Sequence, residues 1–193
     1  MSIDGYIALP NGETDWMLWN WGSEWNWDEK LRKYHTELTE TIDCILLSRQ
    51  MAQEGFIAHW AKVTENRNDP QFVFAKHIAD TKKVVFTKTL DQTFPIPGGW
   101  DNTSIANGDI ESEISQLKKQ EGKDIIVYGG AAFVSSLIKA GLIDEFHLLI
   151  NPVEVGNGMT IFKELDGKLN LALVKATFFA CGIAVLKYVQ KRN

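Results

Sequence analysis

The stretch DIIVYGGAAFVSSLIKAG, Asp124 to Gly141, constrains the fold more than any other part of the chain. Ile125-Ile126-Val127-Tyr128 is short, β-branched and aromatic, which reads as a buried strand. Phe133, Val134, Leu137 and Ile138 then recur at helical spacing, and Gly141 falls where a left-handed C-terminal cap favours glycine. The pair Gly129-Gly130 is therefore a tight strand-to-helix turn. Lacking Cβ atoms, it lets another group approach the backbone. The helix N-terminus that follows offers free N–H groups and a partial positive charge, which suits a phosphate. A tight turn with no ligand satisfies the same residues, because a bare Gly-Gly is weaker than a full dinucleotide fingerprint.

Strand and helix signals alternate on either side of this unit. Residues 28–42 read as a helix with Leu31, Tyr34, Leu38 and Ile42 on one face. Cys44 to Leu47 reads as a buried strand ending at Ser48-Arg49, and Lys83 to Thr87 as another. Asn68-Asp69-Pro70 starts a helix over Phe72 to Ala79, and Ile110 to Gln120 reads as a further helix. A long strand is expected from Glu145 to Val155. Leu169 to Phe179 and Ile183 to Val189 then form a hairpin around Cys181-Gly182. Residues 91–109, with Pro95, Pro97, Gly98, Gly99 and Gly108, read as a long irregular connection. The fold class is α/β: parallel βαβ units in the first two-thirds, antiparallel strands in the last third. With no repeat, low-complexity tract or linker, one domain over 1–193 is expected.

Composition excludes several partners. A formal net charge of −5 with no Lys/Arg run argues against nucleic-acid binding. No apolar stretch is long enough to span a bilayer and no signal peptide opens the chain. Cys44 and Cys181 lie apart in apolar runs and read as buried, reduced thiols of a cytoplasmic protein. The four histidines are scattered and no cluster has metal spacing.

Four stretches carry a family resemblance: MSIDGYIALPNGETDW at the start, CILLSRQM at 44–51, KVVFTKTL at 83–90, and DIIVYGGAAFVSSLIKAGLIDEFHLLINPVEVGNG at 124–158. In that order they resemble the dihydrofolate-reductase-like family, in the branch of the riboflavin biosynthesis reductase C-terminal domain and its stand-alone relatives. The resemblance covers nearly the whole chain. It implies a central, mostly parallel sheet flanked by helices, with the C-terminal antiparallel hairpin added, and NADPH bound across the carboxyl ends of the strands. It also implies that Gly129-Gly130, with Ala131, seats the pyrophosphate. Two departures stand out. Members carry a strand in mid-sheet before the Ser2–Gly5 stretch, and Met1 falls where it would end; either the start lies upstream or the sheet lacks that strand. Members also tend to carry Gly-Arg-Lys-Thr where this chain has Ser48-Arg49-Gln50-Met51; the arginine is kept, the glycine and threonine are not.

A site that selects NADPH needs cations or hydroxyls for the ribose phosphate. Arg49 follows one strand and Thr87, Lys88 and Thr89 follow the next, so parallel neighbours place both turns on one rim. The resemblance implies that Ile7 and Ala8 cover the nicotinamide, with Asp4-Gly5 making the turn; Asp4 also reads as a turn-former alone. Hydride transfer to a C=N bond leaves a nitrogen that needs a proton, so a carboxylate or relayed water is expected. Asp4 and Asp15 are the catalytic candidates. Glu24 and Asp28 are further acids on the expected substrate side. Asp28 is a substrate-binding candidate and, more simply, a helix N-cap. Trp16, Trp19, Trp21, Trp25 and Trp27 crowd one stretch. They read equally as an aromatic wall for a planar heterocycle, with Trp16 against the substrate, or as packing for a long loop.

The function expected is NADPH-dependent reduction of a pyrimidine- or pteridine-like substrate, by a homodimer joined through the antiparallel third. Within it stand 5-amino-6-(5-phosphoribosylamino)uracil reductase and dihydrofolate reductase. A phosphorylated ribosylamino-pyrimidine calls for several cations, and few remain after Arg49 and Lys88. The companion deaminase motif, His-x-Glu with Pro-Cys-x-x-Cys, is absent. A dihydrofolate reductase role lacks its carboxylate motif on the first helix. The alternative from another class is a non-catalytic nucleotide-binding or structural protein with a degenerate site, which Ser48 and Met51 favour.

Overall fold

A computed structural model describes residues 1–19 and 26–191. They form two compact units, one of residues 34–130 and one of residues 1–33 with 131–193.

The first is a parallel sheet with helical connections. Strand β1 (Ile42–Ser48) is almost wholly buried, as its unbroken apolar run requires of a strand covered on both faces. It pairs in parallel with β2 (Lys82–Phe86) on one side and β4 (Asp124–Val127) on the other. A fourth strand, β3 (Thr103–Ala106), adds in parallel to β2, giving the order β3-β2-β1-β4. It lies inside the stretch expected to be irregular. Four residues flanked by Asn102, at φ 57°, and by a proline- and glycine-rich loop carry too little pattern to announce an edge strand. That loop is nonetheless pinned. Asn102 Nδ2 donates to Asp80 O at 2.6 Å, and a Cβ on Gly98 would come within 2.6 Å of Ala58 N.

Helix α1 (Glu29–Glu40) precedes β1 and is shorter than the expected 28–42, because Ile42 is the first residue of β1 and not part of the helix face. Helices α2 (Arg49–Gln53) and α3 (Phe56–Val63) follow it, the second and third elements the sequence reading lacked. Ser48 caps α2 by accepting from Met51 N, and Gly55, at φ 96°, separates it from α3. Phe56, Ile57 and Trp60 bury the inner face of α3. Helix α4 (Phe72–Asp80) falls where expected and leads into β2. Lys83 on β2 is 2% exposed; its ammonium donates to Ala79 O at the C-terminus of α4, and burial lowers its pKa to about 8. Helix α5 (Ile110–Lys118) is capped by Asp109 and leads into β4.

The other unit contains α6 (Ala131–Lys139), closed by Gly141 at φ 67°, and an antiparallel sheet. Strands β5 (Glu145–Ile150), β6 (Leu171–Phe178) and β7 (Ala184–Gln190) take the order β5-β7-β6. Gly182, at φ 94°, turns the hairpin as expected. Strand β5 is shorter than expected. It stops at Ile150 because Asn151 and Pro152 redirect the chain: Asn151 N donates to Met1 O at 2.8 Å, and Asn151 Oδ1 accepts from Leu18 N at 2.9 Å. Asn151 is buried, so this one amide fixes the N-terminal segment and the loop at 18 against the end of β5. Met1 N donates to Leu149 O and Ile3 N to Val153 O, so residues 1–3 run beside that end.

Candidate functional site

Parallel pairing brings three strand ends of the sheet together. Ser48 stands opposite Phe86 and Leu46 opposite Val127, so the turns after β1, β2 and β4 share one rim. Arg49 and Lys88 are exposed there. Arg49 Nη1 donates to Thr89 Oγ1 at 3.2 Å, a contact that joins the first two turns. Thr87 is buried, and its hydroxyl accepts from Thr89 N and Leu90 N at 3.1 Å, so it shapes its own turn. The cationic side of the rim is thus Arg49, Lys88 and the Thr89 hydroxyl.

The third turn is the glycine pair. Gly130 has φ 76°, a left-handed conformation that favours glycine. Gly129 has no such requirement, and a Cβ built on it would meet only Met51 Sδ, at 3.8 Å. The fold therefore does not need glycine at 129 for space, whereas a group seated against that backbone would. Helix α6 begins at Ala131, directly after the pair. Cations and a hydroxyl beside an open glycine backbone fit a phosphorylated dinucleotide.

The opening loop lies in the other unit. Asp4 accepts from Gly156 N at 2.8 Å and Val155 N at 3.4 Å. The Ser2 hydroxyl, then these backbone amides, hold its carboxyl below the usual range. Asp4 is thus an ionised anchor that ties residues 2–6 to the 155–158 turn. Ile7 N donates to Met159 O, and Ala8 O accepts from Met159 N at 2.8 Å. A Cβ on Gly158 would come within 2.2 Å of Ala8 O, so that glycine serves close backbone approach. Asp15 is exposed on the same loop. The Trp16 indole nitrogen is shielded and has no hydrogen-bond partner among the described residues.

Asp28 caps α1, as its place at a helix start suggests: Oδ1 accepts from Leu31 N at 2.9 Å. Its other oxygen accepts from Cys181 N at 3.0 Å and so fastens the hairpin turn. These amides, Leu31 first, hold its carboxyl below the usual range. Trp19 and Trp27 pack with ring centroids 6.3 Å apart. Trp21, Glu24 and Trp25 lie outside the described residues. Among the described residues no group of His, Cys, Asp and Glu is arranged to hold a metal, and no helix is long and apolar enough to cross a membrane.

Sequence reasoning overlooked an aromatic niche in the parallel-sheet unit. The His35 ring lies 4.6 Å from Phe74 and 6.2 Å from Tyr128, and Phe56 lies 6.1 Å from Tyr128. The available signal was Tyr128 itself, an aromatic residue placed immediately before Gly129. Burial among these rings lowers the His35 pKa to about 4.

Known proteins agree with this architecture. The profile of the RibD C-terminal domain matches residues 1–185. The uncharacterized protein YyaP of Bacillus subtilis is 31% identical over 191 residues, 97% of this chain and 90% of that protein. A putative riboflavin biosynthesis protein from Shewanella superposes with a TM-score of 0.69 at 22% identity, over 100% of this chain and 96% of the other. The Thermotoga maritima diaminohydroxyphosphoribosylaminopyrimidine deaminase/5-amino-6-(5-phosphoribosylamino)uracil reductase superposes with a TM-score of 0.65 at 16% identity, over 98% of this chain and 54% of that one. At these identities the solved structures establish the fold.

The His35 environment gives a pH dependence with a definite sign. Its folded pKa, about 4, lies below the ordinary 6.5, so between those values the unfolded chain binds a proton that the folded one refuses. Stability is therefore full above pH 6.5 and falls as pH drops toward 4, by up to about 1.4 kcal/mol per pH unit from this group. Urea unfolding of wild type and His35→Gln at several pH values checks this. The wild-type loss should be steeper, and equal slopes would contradict it.

Proposed function

The chain belongs to the RibD C-terminal domain family, and on that premise we propose that it is an NADPH-dependent reductase of a pyrimidine- or pteridine-like substrate. The observation that carries the reading is the shared rim, where the Arg49–Thr89 contact and exposed Lys88 stand on turns neighbouring the open backbone of Gly129. Arg49, Lys88 and Thr89 are assigned to the ribose phosphate, with Thr87 shaping their turn. Gly129 and Gly130, with the start of α6 at Ala131, are assigned to the pyrophosphate. Ile7 and Ala8 are assigned to the nicotinamide face.

Bound NADPH supplies the hydride for a C=N bond. The chain's own residues bind, orient and deliver the proton. Asp4, held ionised by Ser2 and the 155–156 amides, positions the Ser2–Ala8 loop and is a poor proton donor. Asp15, exposed on that loop, is the carboxylate assigned to proton delivery through water. Trp16 and Asp28 remain the substrate-side assignments, Trp16 through its unpartnered indole N–H, Asp28 through its hold on α1 and the hairpin turn.

A second reading has one observation in its favour. Met51, where members tend to carry threonine, puts its sulfur beside Gly129. A non-catalytic nucleotide-binding protein with a degenerate site would tolerate that; NADPH binding without turnover on a pyrimidine and pteridine panel would select it.

Selectivity tests the reductase reading. NADPH should bind tighter than NADH, and Arg49→Ala should weaken NADPH by about tenfold or more, since a charge-assisted bond to phosphate is lost. NADH affinity should hardly change. Calorimetry giving equal dissociation constants for the two cofactors in wild type would reject the assignment.

We further propose a homodimer built on β6. Strand β6 is an edge of its sheet, and Leu173 and Val174 are each 55% exposed and Phe178 80%. An apolar, unpaired edge invites a second copy. Sedimentation should show a dimer at micromolar concentration, and Phe178→Asp with Leu173→Lys should give a folded monomer. A monomeric wild type would refute this.

A further inference from the structure

The backbone at Gly129 has a single side-chain neighbour. Among the described residues, the one atom within 4 Å of a Cβ built there is Met51 Sδ, at 3.8 Å. Met51 stands in α2, which follows β1, and Gly129 lies just beyond β4, which pairs with β1. The Ser48 hydroxyl accepts from Met51 N at 3.2 Å and fixes the backbone from which the thioether reaches across. Met51 is half-buried, so its side chain meets solvent as well as the glycine. A thioether is apolar and flexible and donates no hydrogen bond. It is also readily oxidised to a polar sulfoxide. The chain thus sets an oxidisable sulfur against the backbone assigned to the pyrophosphate.

We propose that Met51 is a modification site: a hydroperoxide oxidises its sulfur to the sulfoxide, and the sulfoxide weakens dinucleotide binding at Gly129. The inference rests on the reductase reading and adds a regulation of that same site. In the step, a sulfur lone pair attacks one peroxide oxygen, the S–O bond forms and the O–O bond breaks. With hydrogen peroxide the second oxygen leaves as water. The sulfur is oxidised by two electrons and the peroxide is reduced by two. The new oxygen is a hydrogen-bond acceptor, and it stands beside the place assigned to the phosphate oxygens. Acceptors that face each other with no donor between them repel, and a polar group stripped of water without a partner is costly. Methionine sulfoxide reductases return the thioether, so the modification is reversible.

The test is NADPH affinity by calorimetry on the full chain before and after hydrogen peroxide, with mass spectrometry reading oxygen uptake at Met51. Dithiothreitol added after the peroxide returns reversibly oxidised thiols. Wild type should gain one oxygen at Met51 and lose affinity by about tenfold or more. Treatment with both methionine sulfoxide reductases should restore it, an arm that needs no variant. Met51→Leu, of similar volume and without sulfur, should show the same affinity before and after peroxide. Met1, Met17 and Met159 remain in that variant as internal controls. Equal losses in wild type and Met51→Leu would place the effect on another residue and overturn the proposal. Full oxidation at Met51 with unchanged affinity would overturn it, as would a Met51 that resists peroxide while Met159, 40% exposed, is oxidised. Each of these results leaves the reductase reading standing. An untreated wild type that binds no NADPH would refute that reading and this inference together.

Discussion

The parallel register of β2, β1 and β4 is the constraint on which the candidate site depends. In a parallel sheet every strand delivers its carboxyl end to the same rim, so turns far apart in sequence become neighbours. Ser48 against Phe86 and Leu46 against Val127 bring Arg49, Thr87–Thr89 and Gly129-Gly130 together, although 80 residues separate the first from the last. The register is held by strands that are apolar on both faces, since β1 exposes little but Asp43 along its length. A slip of one residue would carry Leu46 and Leu47 to the opposite faces of the sheet and misalign the turns. Site geometry and core packing are thus fixed by the same residues.

The unit with the antiparallel sheet organises its loops differently, through a few polar side chains that each satisfy several backbone groups. Asp4 fastens residues 2–6 to the 155–158 turn, Asp28 joins α1 to the hairpin, and Asn151 joins the N-terminal segment and the loop at 18 to the end of β5. Two of the three are carboxylates held ionised by amides and hydroxyls. A carboxylate so employed is a structural anchor, which moves the search for a proton donor to Asp15 and to relayed water.

The sequence made most of the architecture legible, because its signals were local. The alternating apolar runs, the Gly141 cap, the Gly182 hairpin turn and the Asp28 cap are all recovered in place. The early end of β5 was missed because Asn151 acts through partners at positions 1 and 18, which no local pattern shows. Strand β3 was missed because a four-residue edge strand among glycines and prolines has no periodicity to read. Helices α2 and α3 were missed although Ser48, Gly55 and the spacing of Phe56, Ile57 and Trp60 announce them. Within the site, the rim residues were legible from their places after strands. The His35–Phe56–Tyr128 niche was not, since it assembles from three elements whose meeting only the fold reveals.

The central claim is that Gly129 is a glycine for a ligand's sake. Gly130 is a poor probe of it, because its φ of 76° penalises any side chain whatever the ligand does. Gly129→Ala separates the two causes, since the added Cβ meets only Met51 Sδ at 3.8 Å. The decisive measurement is NADPH affinity by calorimetry on Gly129→Ala, with Tm recorded on the same sample. The account predicts an unchanged Tm and an affinity reduced by about tenfold or more, as an intruding methyl group crowds the pyrophosphate. An unchanged affinity in a variant of unchanged Tm would contradict it and leave the glycine pair as a turn alone.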